Sequence, residues 1–526
     1  MAEQSVPSQD ELNRRRLLQL GAGVAAATLV PGAASADVRR SADQVHADLV
    51  LHSGVVWQGV PAGQAHGPAL PYQQAVAISG QRIVAVGRDA EVLSWAGPAT
   101  RVVDLRGRFV MPGFRDQHTH LLEMAAAGAS AADYRPTFSC YDPEAAFEGR
   151  RETGRYHQHV KARGESPMDP CHDGEVTDKL KQDILVMQDK VAKQGVTTVV
   201  EAGLQDLAVW DALVQLADED RLKLRFLVRV AFGCMEKAAE RGLHTGVGNE
   251  WVKILGVKNY ADGWLGARTS ALRAPYHDDP YGFPRRGILF LEQERADRDI
   301  ARARELGFNV TTHTIGDRGV ATALTAYERA GVSPADRWAL EHVQVVGDDL
   351  VDRMATDGVI ASYQLSFATT DARFAQDALG KRRMYDTAYR WATMQRGGVR
   401  LAGGSDVDVE VVDPLWGLQR AVTRQDFDGF PRGGFRRSEG LGLRDTLRTI
   451  TSDDAYASLE DDERGTIETG NYADLVVCRE NLLRTPHDRL AFSTREMTVT
   501  NGRIVSEGAV AYPPDEAAAC DPYPEG

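Results

Sequence analysis

Between residue 109 and about residue 431, short apolar runs alternate with amphipathic stretches of helical period, which predicts repeated strand–helix units. Strands are expected at 109–116, 196–201, 224–231, 251–259, 308–313, 338–342, 359–363 and 399–403. Helical patterns separate most of them, for example at 179–193, 297–306 and 320–330. Eight strands with crossover helices predict an α/β fold, a (β/α)8 TIM barrel, whose chemistry sits where the strands end. The chain ends read differently. Residues 47–51, 75–78, 82–86 and 101–105, and again 473–478 and 497–505, are short β patterns punctuated by glycines. Asn-Gly-Arg-Ile-Val at 501–505 echoes Ser-Gly-Gln-Arg-Ile-Val at 79–84, and Asn501-Gly502 is a hairpin-turn signal. The two ends are therefore expected to pair into one small discontinuous β-sandwich (37–108 and 464–512) around a barrel domain at 109–463.

Residues 1–36 are set apart by a charged start, a short apolar run from Leu20 to Val30 and an Ala34-Ser35-Ala36 cleavage pattern. Arg14-Arg15-x-Leu17-Leu18-Gln19 is similar to a twin-arginine signal, so export through that machinery to the periplasm or beyond is expected. The competing reading is a basic tail on a cytoplasmic protein. The apolar run is shorter than the ~20 residues a bilayer demands, so no stable membrane anchor is expected. The acidic, Pro- and Ala-rich tail at 513–526 is expected to be flexible. A formal charge of −14 over 526 residues argues against a nucleic-acid partner and reads as a solubility feature. Five scattered cysteines imply no disulfide framework and no zinc finger; Cys140 and Cys171 are one candidate pair for an oxidising compartment.

The candidate chemistry collects at the predicted strand ends. In Met-Pro-Gly-Phe-Arg-Asp-Gln-His-Thr-His (111–120), side chains at i and i+2 of an extended strand share a side, so His118 and His120 aim at one point. Imidazole pairs of this kind suit zinc, iron, nickel or cobalt. Strand four is followed by Lys258, strand five ends on His313, strand six on Glu341-His342, and strand eight runs into Gly404-Ser405-Asp406. Each alone is commonly structural; together they outline a metal site at the barrel mouth. Glu201 ends strand two and is a candidate to face the metals or anchor a ligand, while Arg268 and Thr269 are candidates for substrate contact or for helix capping. Lys258 has a second reading, an exposed strand-end lysine or a salt bridge to Asp262.

In this order the motifs Pro112–His120, Val257–Gly263, His313–Asp317, Glu341-His342 and Gly404–Asp406 resemble the metal-dependent amidohydrolase superfamily, in particular its amidohydrolase 3 or YtcJ-like branch. The resemblance spans nearly all of the chain after residue 36. It implies that His118, His120 and Asp406 hold one divalent metal and His313 and His342 a second, with a carboxylated Lys258 bridging both. Zinc is favoured, with iron, manganese and nickel as alternatives. Two such metals would share and acidify a water that attacks the substrate, and Asp406 would carry its proton to the leaving amine. The resemblance thus implies an exported hydrolase acting on a non-peptide C–N bond, in an amide, cyclic amide or carbamate-like small-molecule substrate. Homodimers are common in the superfamily, so a homodimer is an expectation of the same kind.

One departure leaves the substrate open: the branch usually carries a long insertion after strand one with an Asp-Gly-His segment, absent from residues 121–178 here. That stretch holds His157, His159 and His172, and reads either as a lid or as a solvated loop. A mononuclear deaminase is the nearest competing activity, but such relatives show His-x-x-Glu after strand five, where this chain has His313-Thr314-Ile315-Gly316. Ester or phosphoester hydrolysis and a non-catalytic exported metal-binding protein are further alternatives. The chain has no Gly-x-Ser-x-Gly elbow, no Walker A motif, and no Gly-x-Gly-x-x-Gly following a strand.

Overall fold

The computed structural model describes residues 46–62, 72–127, 143–278 and 285–511. The expected signal (1–36), the 513–526 tail and Cys140 lie outside the described residues. Eight parallel strands follow one another around a barrel: Phe114–Thr119, Val196–Leu204, Arg225–Ala231, Val252–Tyr260, Val310–Thr314, Ala339–His342, Ile360–Gln364 and Leu401–Gly404. The ring closes between the last strand and the first, where Asp406 N–H donates to the His118 carbonyl (2.8 Å) and His120 N–H to the Val407 carbonyl (2.7 Å). Amphipathic helices such as Asp178–Lys193 and Asp317–Arg329 cover the outside, burying Ile184, Met187 and Val191 from one and Val320, Leu324 and Tyr327 from the other. Among the described residues no helix is long and apolar enough to cross a membrane.

The expected strand at 109–116 is two strands. Phe109–Pro112 pairs antiparallel with Leu475–Cys478 and parallel with Val55–Trp57, in a six-stranded sheet drawn from both chain ends. The barrel begins only at Phe114. Gly113 makes the crossing: a Cβ there would stand 2.3 Å from the Thr197 side chain, so the chain passes close only without one. Alternation then serves two cores, with Val110 in the sandwich core and Phe109 and Met111 in the barrel core. A second sheet of four strands, containing Ala47–His52 and Ala75–Ser79, faces the first across Leu49, Ile78, Val477 and Val499. Asn501-Gly502 is the turn of the hairpin Arg495–Thr500/Arg503–Val510, both turn residues having the positive φ (47° and 75°) that such turns require.

A buried ionic network ties the beginnings of barrel strands one and three to the segment returning to the sandwich. Arg115 donates to Asp454 (2.6 Å) and Glu460 (2.9 Å), while Arg225 and Arg464 both donate to Asp474 (3.0 Å each). Cys171 pairs with Cys234, not Cys140, across a Cα separation of 4.9 Å. The reason is local. Gly233 N–H donates to the Met168 carbonyl (2.8 Å) and His172 N–H to the Gln205 carbonyl (2.7 Å), which lays Cys171 beside the end of strand three.

Candidate metal centre at the barrel mouth

His118 and His120 leave strand one toward the barrel axis, as the i, i+2 register demands. Their Nε2 atoms flank the same oxygen, Asp406 Oδ1, at 3.3 and 3.4 Å. Each ring is fixed from behind through Nδ1, His118 by Glu341 Oε2 (2.7 Å) and His120 by Glu123 Oε2 (3.1 Å). A carboxylate on Nδ1 keeps the proton there and leaves the Nε2 lone pair for a cation. Glu341 is held in turn by Arg229 (2.8 Å). Adjacent residues of a regular strand would face opposite ways, yet Glu341 and His342 both reach His118. The left-handed backbone of His342 (φ 73°) breaks the alternation, and its ring centroid lies 5.0 Å from that of His118. Asp406 also has positive φ (62°). Gly404 lets strand eight approach: a Cβ there would meet the His118 nitrogen at 2.8 Å.

Lys258 is buried with its Nζ 3.4 Å from His118 Nε2, and burial pushes its pKa down. Asp262 does not pair with it. Asp262 instead accepts from the backbone N–H groups of Ala271, Ile315 and Gly316 (2.7–2.9 Å), fixing the loops after strands four and five. His313 stacks on Tyr260 (3.6 Å between centroids), with Nε2 3.1 Å from the Gly263 carbonyl, and its ring stands 4.4 Å from His342. His342 is bonded to Gln364 (2.7 Å) and burial pushes it down to about 3, so it is neutral at physiological pH. Burial would raise Asp406, but the imidazoles of His118, His120 and His342 packed around it hold it well below the usual carboxylate range. Asp116 accepts from the N–H groups of His118 (3.2 Å) and Ser405 (2.9 Å), joining the first strand to the last.

His118, His342 and Asp406 place donor atoms within 4.8 Å of one another, all buried. Neutral imidazole nitrogens and an ionised carboxylate around one point form a donor set that fits a borderline divalent cation. These residues, with His120, Lys258 and His313, line one cavity of about 240 Å3 whose remaining described wall is Thr153, His157, Tyr260, Trp264, Ile315, Phe367 and Val409.

Of the other three candidates, Glu201 stands beside His120 and Glu123, one donor atom of each lying within 4.8 Å of the others, while Arg268 and Thr269 are engaged by neighbouring protein groups. The Glu201 carboxylate accepts from the backbone N–H groups of Leu122 (3.0 Å) and Glu123 (3.1 Å), capping the helix Leu121–Ala126 that carries Glu123. Arg268 is ion-paired with Asp278 and bonded to the Leu265 and Gly266 carbonyls. Thr269 supports the cavity wall from behind, through His157 Nδ1 (2.8 Å). Sequence reading gave no role to Asp116, Glu123, Arg229, Tyr260 or Gln364. Asp116 and Tyr260 sit inside the motifs Pro112–His120 and Val257–Gly263, which is the one signal available for them; nothing local marks Glu123, Arg229 or Gln364.

A closed eight-stranded barrel with imidazoles, a carboxylate and a lysine gathered at its C-terminal mouth is the architecture of a metal-dependent hydrolase. The chain belongs to the amidohydrolase family, whose profile matches residues 150–506. It is 34% identical to the putative amidohydrolase YtcJ of Bacillus subtilis over 257 residues, 49% of this chain and about half (48%) of that relative's length. It is 24% identical to the N-substituted formamide deformylase of Arthrobacter pascens, over 84% of this chain and 95% of that protein. Among solved structures, an uncharacterized metal-dependent hydrolase from Pyrococcus horikoshii superposes with a TM-score of 0.66 at 23% identity, covering 84% of this chain and 99% of that one.

Proposed function

We propose that this protein is an exported amidohydrolase that cleaves a non-peptide C–N bond of a small amide, cyclic amide or carbamate-like substrate. The observation carrying this reading is the convergence of His118 and His120 Nε2 on Asp406 Oδ1 at the barrel mouth. In this proposal His118, His120, Lys258, His313, His342 and Asp406 hold two divalent cations, zinc being favoured, with Lys258 carboxylated. Such cations, when bound, would polarise the substrate carbonyl and acidify a water.

The chain's own residues do the rest. Asp406, kept ionised, accepts the proton of the attacking water and hands it to the departing nitrogen. Glu341 and Glu123 hold the two imidazoles so that Nε2 faces inward. Lys258 as a bare ammonium cannot ligate a cation; as a carbamate it offers anionic oxygens. Its depressed basicity leaves more of the unprotonated amine that reacts with carbon dioxide. The activity named for the Arthrobacter relative supports the amide class. The Cys171–Cys234 disulfide supports an oxidising compartment and hence the export reading.

The test is elemental analysis and intact mass on the purified chain. Two transition metals per chain with a CO2-sized mass excess are expected, together with turnover in a screen of N-substituted amides and cyclic amides. One specific observation favours a mononuclear reading: His118, His342 and Asp406 each bring one buried donor atom within 4.8 Å of the other two, a three-ligand cluster for a single cation. One metal per chain with ammonia release from an amine substrate would select it.

A further inference from the structure

The cavity that the strand-end imidazoles line is also lined by His157, on the helix Pro143–Ala162. Its ring is only 4% exposed and is held on several sides. Nδ1 lies 2.8 Å from Thr269 Oγ1, which itself accepts the Trp264 N–H (3.0 Å), and Phe290 packs edge-on at 5.3 Å. Its Nε2 has no hydrogen-bond partner among the described residues. Because His157 lines the cavity, that nitrogen is open to a hydrogen bond with a bound molecule. Burial also lowers the ring's pKa to about 4, so at neutral pH it is an uncharged donor or acceptor and no counter-ion for an anion.

The rest of that wall is Trp264, Phe367, Ile315 and Val409, with the Tyr260 ring beside them. Among the described residues, Lys258 is the only ammonium or guanidinium on it. A carboxylate placed against the aromatic side would be buried without a partner, which is costly. The volume, about 240 Å3, lies below the roughly 300–1,000 Å3 of pockets for drug-sized ligands.

We propose that the cavity takes a small neutral amide bearing an aromatic or branched apolar group, and that His157 Nε2 hydrogen-bonds this substrate and sets its orientation. The apolar group packs on Trp264 and Phe367, and His157 determines specificity without entering the chemical step. The proposal rests on the reading of this cavity as the hydrolytic site.

The experiment is calorimetric titration of the metal-loaded full chain with N-(2-phenylethyl)acetamide and with N-acetylphenylalanine, which differ by one carboxylate. The neutral probe is expected to bind at least about tenfold more tightly. His157→Phe should weaken its binding about tenfold, the fold-change of one net hydrogen bond, while His157→Gln stays within about threefold of the parent. For any hydrolysed neutral amide, His157→Phe should raise KM and leave kcat nearly unchanged. Thr269→Val, which frees the ring while keeping it, should lie between the two and guards against misfolding of the phenylalanine variant. Equal affinity for both probes, or His157→Phe binding the neutral probe like the parent, overturns the proposal and leaves the hydrolase reading standing. Failure to bind either probe, together with no turnover of any amide, overturns both.

Discussion

Replacing Glu341 by glutamine tests the logic of the centre without removing any atom expected to touch a metal. The carboxylate serves two partners, His118 Nδ1 at 2.7 Å and the buried Arg229 guanidinium at 2.8 Å. An amide of the same shape must give its oxygen to Arg229, which has only donors to offer, and so turns its NH2 toward His118. His118 then has to accept at Nδ1 and carry its proton on Nε2, the atom facing Asp406. A protonated Nε2 has no lone pair for a cation. Loss of such a supporting partner typically costs about 10- to 100-fold in metal affinity. Stability should suffer less: Arg229 keeps an acceptor but loses its counter-charge, for about 1–3 kcal/mol. Glu341→Ala strands the guanidinium and should cost about 3–5 kcal/mol. The assay is chelator-competition titration of metal beside urea denaturation of the metal-free chain, for both variants. Metal affinity of Glu341→Gln equal to that of the parent would refute the tautomer argument, and Glu341→Ala as stable as Glu341→Gln would refute the charge argument.

Other outcomes follow from the same geometry. Asp406→Asn should remove most turnover and leave the fold intact; near-normal turnover would contradict its place as the proton carrier. Lys258→Ala should lower bound metal, with partial recovery in added short-chain carboxylate, and unchanged occupancy would dismiss the bridging role. Burial opposes ionisation of Glu460, but Arg225, Arg115 and Arg464 hold its pKa below the ordinary 4.5. Its contribution to stability is therefore present above pH 4.5 and lost as pH falls through the folded value, so the stability gap to Glu460→Gln should shrink on acidification. A gap independent of pH would count against the network. Opening the Cys171–Cys234 bridge, which spans 63 residues, should cost roughly 4 kcal/mol by the chain-entropy relation, read as a lower melting temperature of Cys234→Ser.

Much of this molecule is written in local pattern. Eight apolar-rich runs alternating with helical stretches specify a barrel because each strand, covered on both faces, is mainly apolar outside its ion-paired and mouth-facing residues, and each helix needs one apolar stripe. The spacing of His118 and His120 specifies a shared direction because strand side chains repeat every two residues. What local pattern could not convey is partnership between distant segments. Nothing near Glu341 announces Arg229, 112 residues away, and that pair decides which nitrogen of His118 faces the cavity. Glu201 reads as a site carboxylate from its place at a strand end, and nothing local announces that the helix Leu121–Ala126 also presents unpaired N–H groups to it. The run 109–116 reads as one strand, but only packing against Thr197 shows that Gly113 divides it between two sheets. The neutral, anchored state of His157 belongs to the tertiary structure alone, since it arises from burial by residues up to 133 positions away. Sequence periodicity determined the scaffold and the direction of its strand-end ligands; three-dimensional closeness alone decided how those ligands are held, because hydrogen bonds and desolvation depend on distance in space and not along the chain.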